Sequence, residues 1–202
     1  YSGVTDAGKS KAYYEKAAEL GSCFAMVELA FLYENGEVVE QSYEKAFDLL
    51  QKAAGQEYPY AMFRVGLYLE KGVLGEARLE EAFGWYVKAA EAGDMDAVFA
   101  LGRCYKHGIG TEEDFDKALE CFSKGAEKNE SRCLTELGLA YENGNGVEEN
   151  PQKAVEYMTQ AAEQNYGYAQ FKMGEYNFFG YGSCLEDNKK AVEWYEKAVA
   201  NE

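Results

Sequence analysis

A period of 36 residues runs through the chain and leaves few folds open to it. Ala25, Ala61, Ala97, Cys133 and Ala169 stand at equal intervals. Five residues after each come Ala30, Gly66, Gly102, Gly138 and Gly174, and three further on Tyr33, Leu69, Tyr105, Tyr141 and Asn177. Gly36, Gly72, Gly108, Gly144 and Gly180 follow, and then Ala46, Ala82, Ala118 and Ala154. Ala191 arrives one residue late, which puts one extra residue in the 182–187 loop. A unit this short cannot bury an apolar face alone. It must stack on its neighbours, so the period predicts a linear array of supersecondary units.

Each unit reads as two helices. In Ala97–Tyr105, Val98, Leu101 and Tyr105 recur at helical spacing, and Gly108 supplies a left-handed end. Ser42, Asp114, Asn150 and Asp187 suit the N-cap of the second helix, with Pro151 at its first position and Arg78 as a poor cap. Gly21, Gly93, Asn129 and Asn165 suit its end. Glu57 breaks that rule, and Pro59 is expected to stop the helix there. A glycine inside a helix costs about 1 kcal/mol against alanine. Its recurrence predicts close helix packing against Ala118-type residues, with Tyr105-type and Trp85-type rings beside the contact. Residues 10–21 match a second helix, so the chain reads as one repeat domain. It has a short leader and a lone second helix over 1–21, then five units at 22–57, 58–93, 94–129, 130–165 and 166–202.

Composition removes several function classes. Asp plus Glu number 36 against 20 Lys plus Arg, a net charge of −16, which speaks against binding to a phosphate backbone. No stretch approaches the roughly 18 apolar residues of a membrane span, so no membrane insertion is expected. Five cysteines without CxxC spacing indicate neither a disulfide framework nor a zinc site, and reduced thiols favour a cytoplasmic setting. The chain starts at Tyr1 rather than Met, and removal of a signal peptide would instead allow a periplasmic or secreted setting.

The pattern Leu137-Gly138, Tyr141, Gly144, Gly146-Val147, Lys153-Ala154 and Ala161-Ala162 resembles the Sel1-like repeat family, a relative of the tetratricopeptide repeats. Glu81-Ala82, Trp85-Tyr86, Lys88-Ala89-Ala90 and Gly93 supply the other half. The likeness covers residues 9–202. Ala30 replaces the first glycine, and Val38 and Leu74 replace the second loop glycine. Cys133 stands alone where the family's secreted, disulfide-stapled branch carries a pair. The resemblance implies an all-α fold, a right-handed superhelical solenoid of antiparallel helix pairs, and a role as an adaptor that holds other proteins.

Local chemistry is sparse. Cys104 and His107 lie three apart on one helix and form the best candidate nucleophile and base, for a Cys/His-dependent hydrolase, but no orienting group or oxyanion site accompanies them. His107 also suits a helix C-terminus. Gly108-Ile-Gly110 and Gly144-Asn-Gly146 follow helices and lack the Lys-Ser/Thr ending of a phosphate loop, so they read as turns. Glu112–Asp114 and Glu148–Asn150 lack the alternating ligands of a calcium loop. No metal and no cofactor is expected.

Function is expected on a face. By analogy with tetratricopeptide solenoids, the first helices line a concave side. That places Phe24, Phe31, Tyr60, Phe63, Leu67, Phe99, Arg103, Arg132, Leu139, Tyr168 and Glu175 there, beside Val27, Thr135 and Phe171. Phe63, Phe99 and Phe171 serve packing between repeats equally well. Aromatics with Arg103 and Arg132 suit a non-catalytic scaffold for a peptide or partner protein carrying one or two acidic anchors. The last helix, with Trp194, Tyr195 and Val199, has no following repeat in this sequence, and the expectation is either self-association through terminal repeats or continuation in a longer parent protein.

Overall fold

A computed structural model describes residues 2–36 and 38–201, with side chains from Ser10 onward. Every regular element among the described residues is a helix. In chain order they are α1 (Ser2–Glu19), α2 (Cys23–Asn35), α3 (Tyr43–Ala54), α4 (Pro59–Lys71), α5 (Leu79–Glu91) and α6 (Met95–His107). After them come α7 (Phe115–Glu127), α8 (Ser131–Asn143), α9 (Pro151–Glu163), α10 (Gly167–Phe179) and α11 (Asn188–Ala200). The all-α reading and the alternation of first and second helices hold. Helix α1 starts at Ser2, ahead of the expected start, because no proline falls between Ser2 and Glu19 to break it. Tyr1, also assigned to the leader, lies outside the described residues. The helices gather into two compact units, residues 1–104 with 108–112, and residues 105–107 with 113–202.

Caps set the helix starts. Ser42, Asp114, Asn150 and Asp187 accept the backbone N–H three residues on, as their residue types require. Arg78 makes no such bond. Ser22, Asp94 and Glu130 cap the first helices α2, α6 and α8 in the same way, a set the sequence reading did not single out. The ends are left-handed. Gly36, Gly72, Gly108, Gly144 and Gly180 have φ between 61° and 71°. Asn129 and Asn165 follow the second helices at φ 60° and 62°. Glu57 does the same at φ 59°, against expectation. The closing bond from Tyr58 N–H to Ala53 C=O, 3.2 Å, imposes the conformation whatever the side chain. Pro59 does not stop α3, which has already ended at Ala54, but opens α4.

The recurrent glycine does mark a close helix contact, with a different partner from the one expected. In the first unit a Cβ on Gly66 would sit 2.6 Å from Cε1 of Tyr86 and 3.3 Å from the Ala82 carbonyl oxygen. In the second unit a Cβ on Gly174 would sit 2.6 Å from Cδ1 of Tyr195, and one on Gly138 would sit 3.1 Å from Met158. The glycine therefore makes room for the side chain one turn after the recurrent alanine, and the alanine contributes its backbone. Trp85 and Trp194 do not fill that contact. They lie half-buried beneath the ammonium groups of Lys88 and Lys197, at 4.8 and 4.1 Å.

Each unit has its own core. Leu50, Val65, Leu69, Tyr86 and Ala89 are buried in the first. In the second, Leu134, Met158, Ala161 and Ala162 pack with Ala169, Met173 and Tyr176 of α10. Each large side chain so buried contributes about 1.5–3 kcal/mol. Buried Gln170 and Asn177 donate to the Ala162 and Met173 carbonyls at 3.1 and 2.7 Å, which offsets their desolvation.

Candidate partner-binding surface

In the first unit, helices α2 and α4 place four of the expected residues in one region. The rings of Phe31, Tyr60, Phe63 and Tyr86 form a chain with centroid separations of 6.5, 6.2 and 5.9 Å. Tyr60, Phe63 and Leu67 line a cleft of about 350 Å³, together with Glu34, Tyr43, Arg64, Tyr68, Lys71 and Val73. Arg64, which the sequence reading passed over, crosses the Phe31 ring at 4.4 Å and lies 6.0 Å from the Tyr60 ring. Its Nη2 donates to both oxygens of Glu34 at 2.6 and 2.7 Å, and the Tyr68 hydroxyl donates to Glu34 Oε1 at 2.5 Å. Burial opposes the charge on Arg64, yet bonds with Glu34 and Tyr60 outweigh it and hold the guanidinium above its ordinary pKa. Burial and the bond to Glu34 push the Tyr68 phenol well above the usual tyrosine range. The cleft thus has aromatic walls and a floor whose charges are already paired.

Glu34 and Arg64 belong to a recurring arrangement. Position nine of one unit faces position three of the next, thirty residues later. Glu34 meets Arg64, and Glu142 meets Lys172 at 3.0 Å. Lys106 meets Glu136 at 2.7 Å with the polarity reversed. At Glu70 the expected cation position holds Ala100, and Arg103, three residues on, reaches the carboxylate at 3.1 Å instead. A tyrosine hydroxyl donates to each position-nine carboxylate. Tyr68 serves Glu34, Tyr86 serves Glu70 at 2.5 Å and Tyr176 serves Glu142 at 3.0 Å. The signal was present as opposite charges at a spacing of 30, but it emerges only when adjacent units are compared with each other.

The remaining expected residues take separate places within their own units. Phe24 is 58% exposed at the start of α2. Phe99 is half-buried on α6, and Arg103 holds Glu70. In the second unit Arg132 donates from Nε to Glu130 at 2.6 Å, so each arginine already holds an internal carboxylate. Leu139 packs against the core, and Glu175 pairs with Lys172 at 3.0 Å. Val27 and Thr135, expected near the concave side, are buried instead: Val27 lies in the core, and Thr135 turns its hydroxyl to the Ser131 carbonyl at 2.8 Å. Tyr168 lines a second cleft of about 570 Å³, walled by Gly167, Phe171, Tyr195, Ala198 and Val199.

The nucleophile of the hydrolase reading is buried. Cys104 is 1% exposed, whereas His107 lies on the surface. Burial pushes the Cys121 thiol up to about 11 and raises Cys133 and Cys184 as well. Among the described residues no group of three or more His, Cys, Asp or Glu side chains could hold a metal ion, and no helix is long and apolar enough to cross a membrane.

The model of the Sel1 repeat matches residues 3–22, 23–58, 59–94, 96–130, 131–166 and 167–201. A Sel1 repeat protein from Oxalobacter formigenes is 31% identical, with a TM-score of 0.85 over 98% of this chain and 81% of that one. The protective antigen c5321 of uropathogenic Escherichia coli, which displays the same fold, is 27% identical with a TM-score of 0.83. The match spans 94% of this chain and 40% of that one. Immunity protein Pa5087 of Pseudomonas aeruginosa is 26% identical with a TM-score of 0.64, over 96% and 74% of the two chains. No curated protein shows significant similarity.

Proposed function

The chain belongs to the Sel1-repeat family of helical solenoids, and from that premise we propose that it is a non-catalytic scaffold whose first unit holds a peptide or a helix of a partner protein in the α2–α4 cleft. Sel1 repeats are commonly protein–protein interaction modules. The observation that carries the reading is the run of rings Phe31, Tyr60 and Phe63 beside an arginine whose charge is already met by Glu34. Aromatic and arginine side chains around a preformed recess are the composition of an interaction hot spot. Because Arg64 and Arg103 each hold an internal carboxylate, the ligand's main contribution is apolar. It is a leucine-sized or aromatic side chain that enters between Tyr60, Phe63 and Leu67. An acidic anchor, where the ligand has one, meets exposed Lys71 at the rim.

The test is selection of random peptides on the intact chain, followed by affinity measurement on variants. Tyr60→Ala and Phe63→Ala should each weaken the selected peptides about thirtyfold, which is about 2 kcal/mol. Peptides that bind both variants as tightly as the parent would move the site elsewhere. The hydrolase reading is tested separately. Cys104 should react with a small alkylating agent only as fast as the protein unfolds, and rapid modification of the folded chain would revive it.

A further inference from the structure

The loop between α4 and α5 leaves a cavity where its counterparts lie flat on the helix before them. A Cβ on Gly146 would sit 2.9 Å from Phe115 Cβ, and one on Gly182 would sit 2.5 Å from the Pro151 carbonyl oxygen. Gly110 abuts the Leu79 carbonyl in the same way. Those three loops rest on the start of the preceding second helix, where only glycine fits. The same position in the 72–78 loop holds Leu74, 45% exposed. The chain turns one residue later instead, at Gly75, whose φ is 140°, with nothing within 4 Å of where a Cβ would stand. The cavity left there measures about 330 Å³. Phe47, Tyr68, Leu69 and Leu74 wall it, and Glu76 and Arg78 are among its lining residues. It lies inside the first unit, with helices before and after it in the chain.

What the cavity lacks points to its occupant. Leu69 stands where other repeats carry Tyr33, Tyr105 and Tyr141, so this wall is one ring short. In those repeats a lysine ammonium covers the ring, Lys45, Lys117 and Lys153 at 5.3, 5.3 and 4.8 Å, and here Glu81 takes the lysine's place. The other walls are aromatic. Phe47 and Tyr68 stack at 5.5 Å, and the Tyr68 hydroxyl already donates to Glu34. The charged side chains lining the cavity are Glu76 and Arg78, one of each sign. Arg78 pairs with Glu81 at 3.3 Å, but both are more than half exposed, so water weakens the pair and leaves the guanidinium able to turn to a ligand. A carboxylate would be repelled by Glu76, and an ammonium by Arg78. An uncharged phenol suits both, donating to the first and accepting from the second. We propose that the cavity takes a tyrosine side chain of the partner. The source of that tyrosine rests on the function proposed above, because Tyr68 is a wall common to this cavity and to the α2–α4 cleft.

The first test uses p-cresol, the isolated side chain of tyrosine, titrated into the intact isotope-labelled chain. Saturable NMR shifts are expected at the Leu69 and Leu74 methyls and the Phe47 ring. Toluene, which lacks the hydroxyl, should bind about fivefold more weakly, the loss of one hydrogen bond. Arg78→Ala should bring p-cresol down to the level of toluene. Leu69→Tyr, which supplies the ring from within, should abolish the shifts while the helical circular dichroism stays unchanged. The second test uses the peptides selected on the intact chain. They should carry a tyrosine whose replacement by alanine lowers affinity about tenfold on the parent and not at all on the Leu69→Tyr variant. Shifts that do not saturate, or that survive Leu69→Tyr, overturn the proposal, and so does toluene binding as tightly as p-cresol. Peptides that need Tyr60 and Phe63 but tolerate Leu69→Tyr also overturn it and leave the cleft reading standing. Peptides that tolerate Tyr60→Ala and Phe63→Ala but fail on Leu69→Tyr remove the cleft reading and support this one.

Discussion

Glu34 and Phe178 occupy the same position of the repeat and lead to opposite surfaces. At Glu34 in the first unit, a carboxylate recruits Arg64 and Tyr68, and those groups fix the floor of an aromatic cleft. At Phe178 in the second unit, the carboxylate is replaced by a half-exposed ring that stands edge-on to Phe179. Both helices run thirteen residues and end in a left-handed glycine, although Ser22 caps the first and Tyr166 gives the second no side-chain cap. Position nine thus carries a paired charge in α2 and a half-exposed ring in α10. The interior junctions follow the first pattern with either polarity.

The largest effect expected bears on the scaffold common to both regions. Gly66→Val would drive a side chain into the Tyr86 ring and should cost about 3 kcal/mol in urea unfolding. Gly138→Val should cost only about 1 kcal/mol, because the flexible Met158 can move aside at 3.1 Å. Equal losses would show that the second helix closes the contact through its backbone and not through its side chains.

A direct break of the comparison follows. Glu34→Ala leaves Arg64 without its carboxylate at a site where both side chains are under 15% exposed. Allowing for that remaining exposure, it should cost about 2 kcal/mol. Phe178→Glu, which installs the ladder residue on the open face, should change the stability of the monomer by less than about 0.5 kcal/mol. If Phe178→Glu were the more damaging, the face would be buried in the folded monomer.

The reversed rung sharpens the point. Lys106→Glu alone should cost about 1 kcal/mol by setting two glutamates together, and Lys106→Glu combined with Glu136→Lys should recover most of it. A double variant no better than the single one would mean that position, and not pairing, matters. Alkaline pH gives a smaller and broader test. Burial raises the pKa of Tyr68, Tyr86 and Tyr176, and that of Cys121 to about 11. These groups keep their protons more tightly when folded. Stability is therefore intact below the unfolded-state values and falls as pH climbs through them. The urea midpoint should drop between pH 8 and 10.5. A flat profile would mean these groups are solvated in the folded chain.

Much of this was legible from one chain. The period, helix order, caps at Ser42, Asp114, Asn150 and Asp187 and left-handed glycines all depend on local chemistry and appear where the sequence puts them. Glu57 was misread because a side-chain rule was applied where a backbone bond from the next residue decides. The surface was less legible. Tyr60, Phe63 and Leu67 do gather, since they share α4, and the Phe31 ring of α2 meets Tyr60 across the helix pair. The partners of Arg103 and Arg132 were not foreseen, because Glu70 sits on another helix and Glu130 at a cap, and single-helix spacing shows neither. Arg64 was missed for the same reason, although its match to Glu34 thirty residues earlier was in the sequence.

The most direct test of the first-unit cleft is a map of amide and aromatic NMR shifts as a selected peptide is titrated into labelled chain. The account predicts that the largest changes fall on Phe31, Tyr60, Phe63, Leu67 and Lys71, with α11 unmoved. Changes centred on Phe171, Tyr195 and Val199, with the Tyr60 and Phe63 signals still, would contradict it.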